Sequence, residues 1–106
     1  MVEITTKEDF NKILNNPKVI IDFRAEWCGP CKVTKNNIEA IENEFNDVVV
    51  ASIDVDNEAL EDIVTENSIR SIPVLLVYND GKLIDRKTGL QTKEQFSQIC
   101  NSLMSI

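Results

Sequence analysis

Two runs that are rich in β-branched residues constrain the fold of this chain more than any other feature. They span residues 19–23 and 48–55, and residues 31–45 between them form a segment long enough for a helix. Runs that are apolar on both faces are typical of strands that helices cover on both sides. Because strands that alternate with helices favour parallel pairing, these segments predict an α/β protein with a parallel centre to its sheet.

Six further elements extend this alternation to both ends of the chain. They are a strand over 2–5, a helix over 6–14 capped by Thr6, a helix over 59–67, a strand over 74–78, a strand over 82–87 after the Asp80-Gly81 turn, and a last helix that begins at the Thr92 and Gln95 capping box. The predicted order is β-α-β-α-β-α-β-β-α. It describes a central mixed sheet of about five strands flanked by about four helices, in a single domain over residues 1–106.

Composition excludes several classes of function. The formal net charge of −7 argues against a nucleic-acid partner, because phosphate binding requires clustered Lys and Arg. The chain contains no histidine, which excludes Ser-His-Asp and Cys-His nucleophiles and His-containing zinc sites. The longest apolar run, residues 74–78, is far shorter than the ~20 residues of a membrane span, so we expect no membrane partner. With no pattern of a signal peptide at the N-terminus, the expected location is the reducing cytoplasm.

The motif that carries chemistry is Trp27-Cys28-Gly29-Pro30-Cys31. It lies where a predicted buried strand ends and a helix begins, which is where sites form in open α/β sheets. The unpaired N–H groups of a helix N-terminus favour a thiolate at Cys28 and make it a nucleophile. Gly29 is permissive in a tight bend, and Pro30 has the φ angle of a first helical residue. The motif therefore indicates a dithiol–disulfide centre.

Other interpretations of the cysteine pair have less support. A zinc site needs about four ligands, and only Cys100 remains as a further cysteine. Haem attachment needs a histidine after the second cysteine, and this chain has Lys32 there. A purely structural disulfide stays open as an alternative, although a two-residue loop constrains the unfolded chain little.

Trp27-Cys28-Gly29-Pro30-Cys31-Lys32 resembles the active site of the thioredoxin family. The similarity covers essentially the whole chain: residues 19–23 resemble the central strand, residues 69–73 the cis-proline loop, and Gly89 a glycine after the hairpin. The resemblance implies a thioredoxin fold and a protein-disulfide reductase that works as an electron carrier. It also implies a redox-active Cys28–Cys31 disulfide, no bound cofactor or metal, and re-reduction by a thioredoxin reductase that draws on NADPH.

The same resemblance implies the partners. They are thioredoxin reductase and disulfide-containing substrate proteins such as peroxiredoxin, ribonucleotide reductase or methionine sulfoxide reductase, and the chain is expected to be a monomer. Two alternative functions stay open at this point. One is a disulfide isomerase or oxidant, and the other is a binding module of the same fold in which the cysteines are incidental.

The resemblance and the residues together assign roles in catalysis. Cys28 is expected to be the nucleophile and Cys31 the resolving cysteine, with Gly29 and Pro30 shaping the turn between them. Asp22 is the candidate proton acceptor and donor for Cys31. A carboxyl in the middle of an apolar strand is desolvated, which raises its pKa toward neutrality. The alternative for Asp22 is an exposed residue at the end of the strand.

Four residues are expected to bind the substrate: Trp27, Ile72, Pro73 and Gly89. An X-Pro bond is most often trans, but the resemblance implies a cis Ile72–Pro73 bond that faces the cysteines. The backbone of Ile72 would then pair with an extended substrate segment. Trp27 is expected to lie on an apolar docking rim, with a core position as the alternative.

Three residues need a separate interpretation. Arg24 stands where the family usually has an aromatic residue. It is either a solvated side chain or a weak pair with Glu26, or else a charge that stabilises the Cys28 thiolate. Ser52 replaces a lysine common near the buried aspartate, which predicts a more strongly raised Asp22 pKa. Cys100 lies on the apolar stripe of the last helix, where we expect an inert buried thiol, with a regulatory or dimer-forming thiol as the alternative.

Overall fold

The computed structural model describes all residues, Met1–Ile106, and contains five strands and four α-helices in the predicted order. They are β1 (Val2–Glu3), α1 (Lys7–Ile13), β2 (Lys18–Arg24), α2 (Gly29–Ile41), β3 (Val49–Asp54), α3 (Glu61–Glu66), β4 (Val74–Asn79), β5 (Lys82–Thr88) and α4 (Lys93–Met104). Short 3₁₀ helices at Glu42–Glu44 and Glu58–Leu60 follow α2 and precede α3. No helix combines the length and the apolar character that a membrane crossing requires.

The five strands form one mixed sheet in the order β1-β3-β2-β4-β5. The pairs β1–β3 and β2–β3 are parallel, whereas β2–β4 and β4–β5 are antiparallel. The antiparallel part is therefore larger than the predicted hairpin alone. The alternation of strands and helices in the sequence shows that a helix lies between β3 and β4. It does not show at which end of the neighbouring strand β4 begins, and so does not fix the direction of β4. Here Val74 pairs with Phe23 near the end of β2, so the loop before β4 lies at the edge where β2 leads into the cysteine motif.

Helices cover both faces of the sheet, as the apolar character of its central strands predicts. Alternate residues of β2 point to opposite faces. Val19, Ile21 and Phe23 pack in a core with residues of α1 and α3, and Ile20 packs in a second core with residues of α2 and α4. Asp22 has the parity of Ile20, so its carboxyl belongs to the face that α2 and α4 cover.

The ends of the helices follow from their sequences. The Thr6 side chain accepts a hydrogen bond from the Asp9 amide and caps α1. Thr92 and Gln95 form the predicted capping box at the start of α4. α2 begins at Gly29, two residues before the predicted start, and its regular part ends at Ile41. Cys28 is therefore the N-cap of a helix whose first turn contains Pro30.

Candidate active site

The two cysteines are joined across the first turn of α2. Cys28 and Cys31 form a disulfide, and their Cα atoms are 5.3 Å apart. The Cys31 amide donates a hydrogen bond to Cys28 Sγ at 3.2 Å. Because the first amides of a helix have no partner within the helix, they stabilise negative charge on a sulfur at the N-cap. A helix N-cap of this kind favours a thiolate on Cys28 once the disulfide is reduced, and the role of Cys28 as the nucleophile stays a prediction.

Asp22 is fully buried in β2. Its exposed fraction is 0%, and neither carboxyl oxygen has a hydrogen-bond partner. Loss of hydration penalises the charged form and raises the pKa of Asp22 to about 7. The interpretation of Asp22 as an exposed residue is therefore wrong. A carboxyl with this pKa can exchange a proton near neutral pH.

The loop before β4 brings its backbone to the disulfide. The Ile72–Pro73 peptide bond is cis, and Cys28 Sγ lies 3.9 Å from the carbonyl oxygen of Ile72. Neither the amide nor the carbonyl of Ile72 makes a backbone hydrogen bond within the fold. The Gly89 amide donates to the Pro73 carbonyl at 2.8 Å, so the predicted residues Ile72, Pro73 and Gly89 lie side by side.

Trp27 is the most prominent apolar side chain on the surface of the site. Its exposed fraction is 71%, which excludes a core position. The indole N–H donates a hydrogen bond of 2.8 Å to Oδ2 of Asp56. Asp56 was not among the residues predicted from the sequence. Its position just after the carboxyl end of β3 is the signal that could have identified it, because the ends of parallel strands meet at one edge of the sheet.

Arg24 is neither solvated nor bonded to a cysteine. Its side chain is only 14% exposed. The guanidinium donates to Ser52 Oγ at 3.2 Å and to Glu26 Oε1 at 2.8 Å. It also pairs with Glu3 and lies 3.4 Å from Oδ2 of Asp54. The predicted pair with Glu26 therefore exists, but it is one member of a larger network.

An open cavity of about 300 Å³ lies between the end of β2 and α2. Its lining includes Arg24, Cys31, Lys32 and Lys35. Cys31 therefore faces this cavity, whereas Ile72 is not part of its lining.

Cys100 lies in the core between the sheet and α4. Its exposed fraction is 0%, and burial raises the pKa of its thiol to about 12. These properties agree with the inert buried thiol that the apolar stripe predicts. No three or more Cys, Asp and Glu side chains are grouped so that they could hold a metal ion, so the zinc interpretation of the cysteine pair has no ligand set.

A cysteine pair at a strand–helix junction, beside a backbone segment that the fold leaves unpaired, is the arrangement of a thiol–disulfide oxidoreductase. The thioredoxin family model matches residues 1–102 of the chain, and the chain belongs to the thioredoxin family.

Relatives and solved structures agree with this assignment. The thioredoxin of Chlamydia caviae is 35% identical over 101 residues, which are 95% of this chain and 97% of the relative. A mutant thioredoxin from Halobacterium salinarum has a TM-score of 0.90 at 25% identity, over 99% of this chain and 91% of that chain. A third similar chain comes from a structural study of the thiol resolving mechanism in yeast mitochondrial 1-Cys peroxiredoxin via glutathione/thioredoxin systems. It has a TM-score of 0.83 at 29% identity, over 95% of this chain and 94% of that chain.

Proposed function

We propose that this protein reduces disulfide bonds in substrate proteins and passes two electrons to each from its Cys28–Cys31 dithiol. The observation that carries the proposal is the position of the cysteine pair against Ile72. Cys28 Sγ lies 3.9 Å from the carbonyl oxygen of Ile72, and the backbone of that residue is left unpaired by the fold. An extended substrate segment can pair with such a backbone irrespective of its side chains. Its disulfide is then presented to Cys28.

Reduction proceeds in two exchange steps. The Cys28 thiolate attacks one substrate sulfur, the substrate S–S bond breaks, and the other substrate sulfur leaves as a thiolate that takes up a proton. Deprotonated Cys31 then attacks Cys28 Sγ and breaks the mixed disulfide. The second substrate thiol is released, and the Cys28–Cys31 disulfide remains. The substrate gains two electrons and two protons, which the dithiol loses.

We assign the proton of Cys31 to Asp22. The carboxyl lies on the sheet face that α2 covers, and α2 carries Cys31. Burial raises its pKa to about 7, so the carboxylate and the carboxylic acid are both accessible at neutral pH. Trp27, Ile72, Pro73 and Gly89 are assigned to substrate binding.

Turnover requires an external reductant. We propose thioredoxin reductase, with electrons from NADPH, because the chain itself belongs to the thioredoxin family. Peroxiredoxins, ribonucleotide reductase and methionine sulfoxide reductase are proposed as substrates. The similarity to a chain from a peroxiredoxin study supports the first of these. The cytoplasm stays the predicted location.

Reduction of insulin disulfides tests the proposal. The wild-type protein should accelerate the reaction with dithiothreitol as reductant, and with NADPH and a thioredoxin reductase. Cys28→Ser and Cys31→Ser should each abolish turnover, and Cys31→Ser should accumulate a mixed disulfide with the substrate. Cys100→Ser is the matched control and should retain the wild-type rate. A wild-type protein without activity contradicts the proposal and favours a binding module, whereas faster isomerisation of scrambled disulfides than reduction favours an isomerase.

A further inference from the structure

We propose that Arg24 is a positioning residue for this reaction: held against Ser52 and its carboxylate neighbours, its guanidinium supplies the positive charge that governs proton exchange at Asp22. The inference rests on the proposed role of Asp22. It assigns Arg24 to the buried carboxyl rather than to the Cys28 thiolate.

The register of the sheet places these side chains together. Glu3, Ser52 and Asp22 are in-register neighbours on the parallel strands β1, β3 and β2, so their side chains share one face of the sheet. Arg24 is two residues after Asp22 on β2 and points to the same face. Its Nε donates to Ser52 Oγ at 3.2 Å, which holds the guanidinium beside the side chain next to Asp22.

The surrounding carboxylates hold Arg24 in this place. Glu3 pairs with it from β1, and Asp54, its in-register partner on β3, lies 3.4 Å away. Since the Arg24 side chain is only 14% exposed, its charge is screened less by water than that of a surface arginine. Its charge can therefore act on Asp22 without a direct hydrogen bond.

The other elements packed around Asp22 contribute little opposite charge. Lys35 of α2 is exposed, and Cys31 of the same helix is in the disulfide. β4 places apolar Leu75 beside Asp22. Beyond it on β5, Lys87 pairs with Asp85. α4 adds apolar side chains and the neutral Cys100 thiol to this face.

The pKa of Asp22 agrees with this arrangement. Burial is the main cause of its rise to about 7, and Arg24 is the largest influence that lowers it. Glu3 has the opposite effect and raises it, while Lys35 lowers it less than Arg24 does. Arg24 thus takes the place of the lysine that Ser52 replaces in the sequence.

Removing the positive charge of Arg24 and, separately, the negative charge of Glu3 provides the test. The Asp22 carboxyl is titrated by carbon-detected NMR in the oxidised protein, where neither active-site cysteine ionises. Arg24→Gln should raise the Asp22 pKa and Glu3→Gln should lower it, while Arg24→Lys should restore most of the wild-type value. Lys82→Gln, which removes an exposed charge on β5, is the control and should have no effect. Glu3→Gln keeps the test decisive if Arg24→Gln does not fold.

A kinetic measurement links this titration to the reaction. Arg24→Gln should lower the rate of insulin reduction at pH 7 by about two- to five-fold and match the wild type near pH 9, where Asp22 is ionised in both. Two results would overturn the inference. One is an Asp22 titration that Arg24→Gln leaves unchanged while the ultraviolet titration of the Cys28 thiolate moves. The other is a shift of the same sign in Arg24→Gln and Glu3→Gln. Because the NMR titration needs no turnover, an inactive wild-type protein would refute the proposed function but not the charge effect.

Discussion

Ser52 is the in-register neighbour of Asp22, yet no hydrogen bond joins their side chains. The serine hydroxyl accepts from Arg24 instead, and both oxygens of Asp22 stay without a partner. A buried carboxyl in this condition is stable mainly in its neutral form, because an unpaired charge is costly away from water. The site therefore retains a group whose ionisation opposes folding, which is typical of residues kept for chemistry.

Asp22 should make the stability of the oxidised protein depend on pH. Burial raises its pKa from 3.8, the ordinary value of an aspartate, to about 7, so the native state binds the proton more tightly than the unfolded state. The free energy of unfolding is then highest below about pH 4 and falls as the pH rises toward 7. Above about pH 7 Asp22 causes no further change. Asp22→Asn should remove this loss, which amounts to about 4 kcal/mol at most.

Urea unfolding at several pH values measures this effect. The gain in stability of Asp22→Asn over the wild type should be near zero at pH 4 and largest above pH 7. Asp80→Asn is the control: this residue is exposed at a turn with φ 51°, a conformation that Asn accepts well. A gain of Asp22→Asn that does not change with pH would contradict the predicted linkage.

Asp56 should orient Trp27 for substrate docking. Asp56→Ala removes the acceptor of the indole N–H, a loss of about 1 kcal/mol at an exposed site. We expect up to about a five-fold increase in KM for insulin with little change in kcat. The fluorescence anisotropy of the single tryptophan should fall at the same time. Asp56→Asn keeps an acceptor oxygen, and a KM as high as that of Asp56→Ala would refute the role of the hydrogen bond.

Gly89 should be sensitive to substitution because of its backbone, not for lack of space. Its φ is +92°, and a Cβ built there would have no neighbour within 4 Å. Gly89→Ala should therefore cost about 1–2 kcal/mol, the penalty of a left-handed conformation. Gly29 also has open space around it but no positive φ. Gly29→Ala should be neutral or slightly stabilising in urea unfolding, and equal losses in both variants would rule out backbone strain as the cause.

Thr92 should stabilise the start of α4. Its side chain accepts from the Gln95 amide at 3.1 Å, and the Gln95 side chain accepts from the Thr92 amide at 2.9 Å. Thr92→Ala should reduce the free energy of unfolding by about 1 kcal/mol. Thr65→Ala, at an exposed position within α3, should leave it nearly unchanged because no cap is lost. A loss of the same size in both variants would show that the cap contributes nothing.

Features that depend on neighbours in sequence were predictable. The apolar runs placed β2 and β3 within one or two residues, and the Thr6 and Thr92 caps were found at the predicted helix starts. The strand–helix junction also placed Cys28 at the helix N-cap. In each case a local pattern determines a local conformation.

Features that depend on contacts across the sheet were not predictable from the chain alone. The antiparallel direction of β4 arises because the loop over residues 69–73 places the start of β4 beside the end of β2. The Trp27–Asp56 hydrogen bond and the Arg24 network join residues that are 29, 21 and 28 positions apart. Such pairs form only once the strands are in register. The position of Arg24 beside Ser52, rather than beside Cys28, is therefore a property of the sheet.

The burial of Cys100 has a practical consequence for the oxidised protein. With Cys28 and Cys31 joined, it is the only free thiol in the chain. An alkylating reagent can reach it only when α4 lifts from the sheet or the whole chain opens. When reclosing is faster than alkylation, the rate of alkylation reports the equilibrium population of the open state, and when alkylation is faster it reports the opening rate. Cys100 is thus an intrinsic probe of local and global opening in the oxidised protein, and it takes no part in the redox chemistry of the cysteine pair.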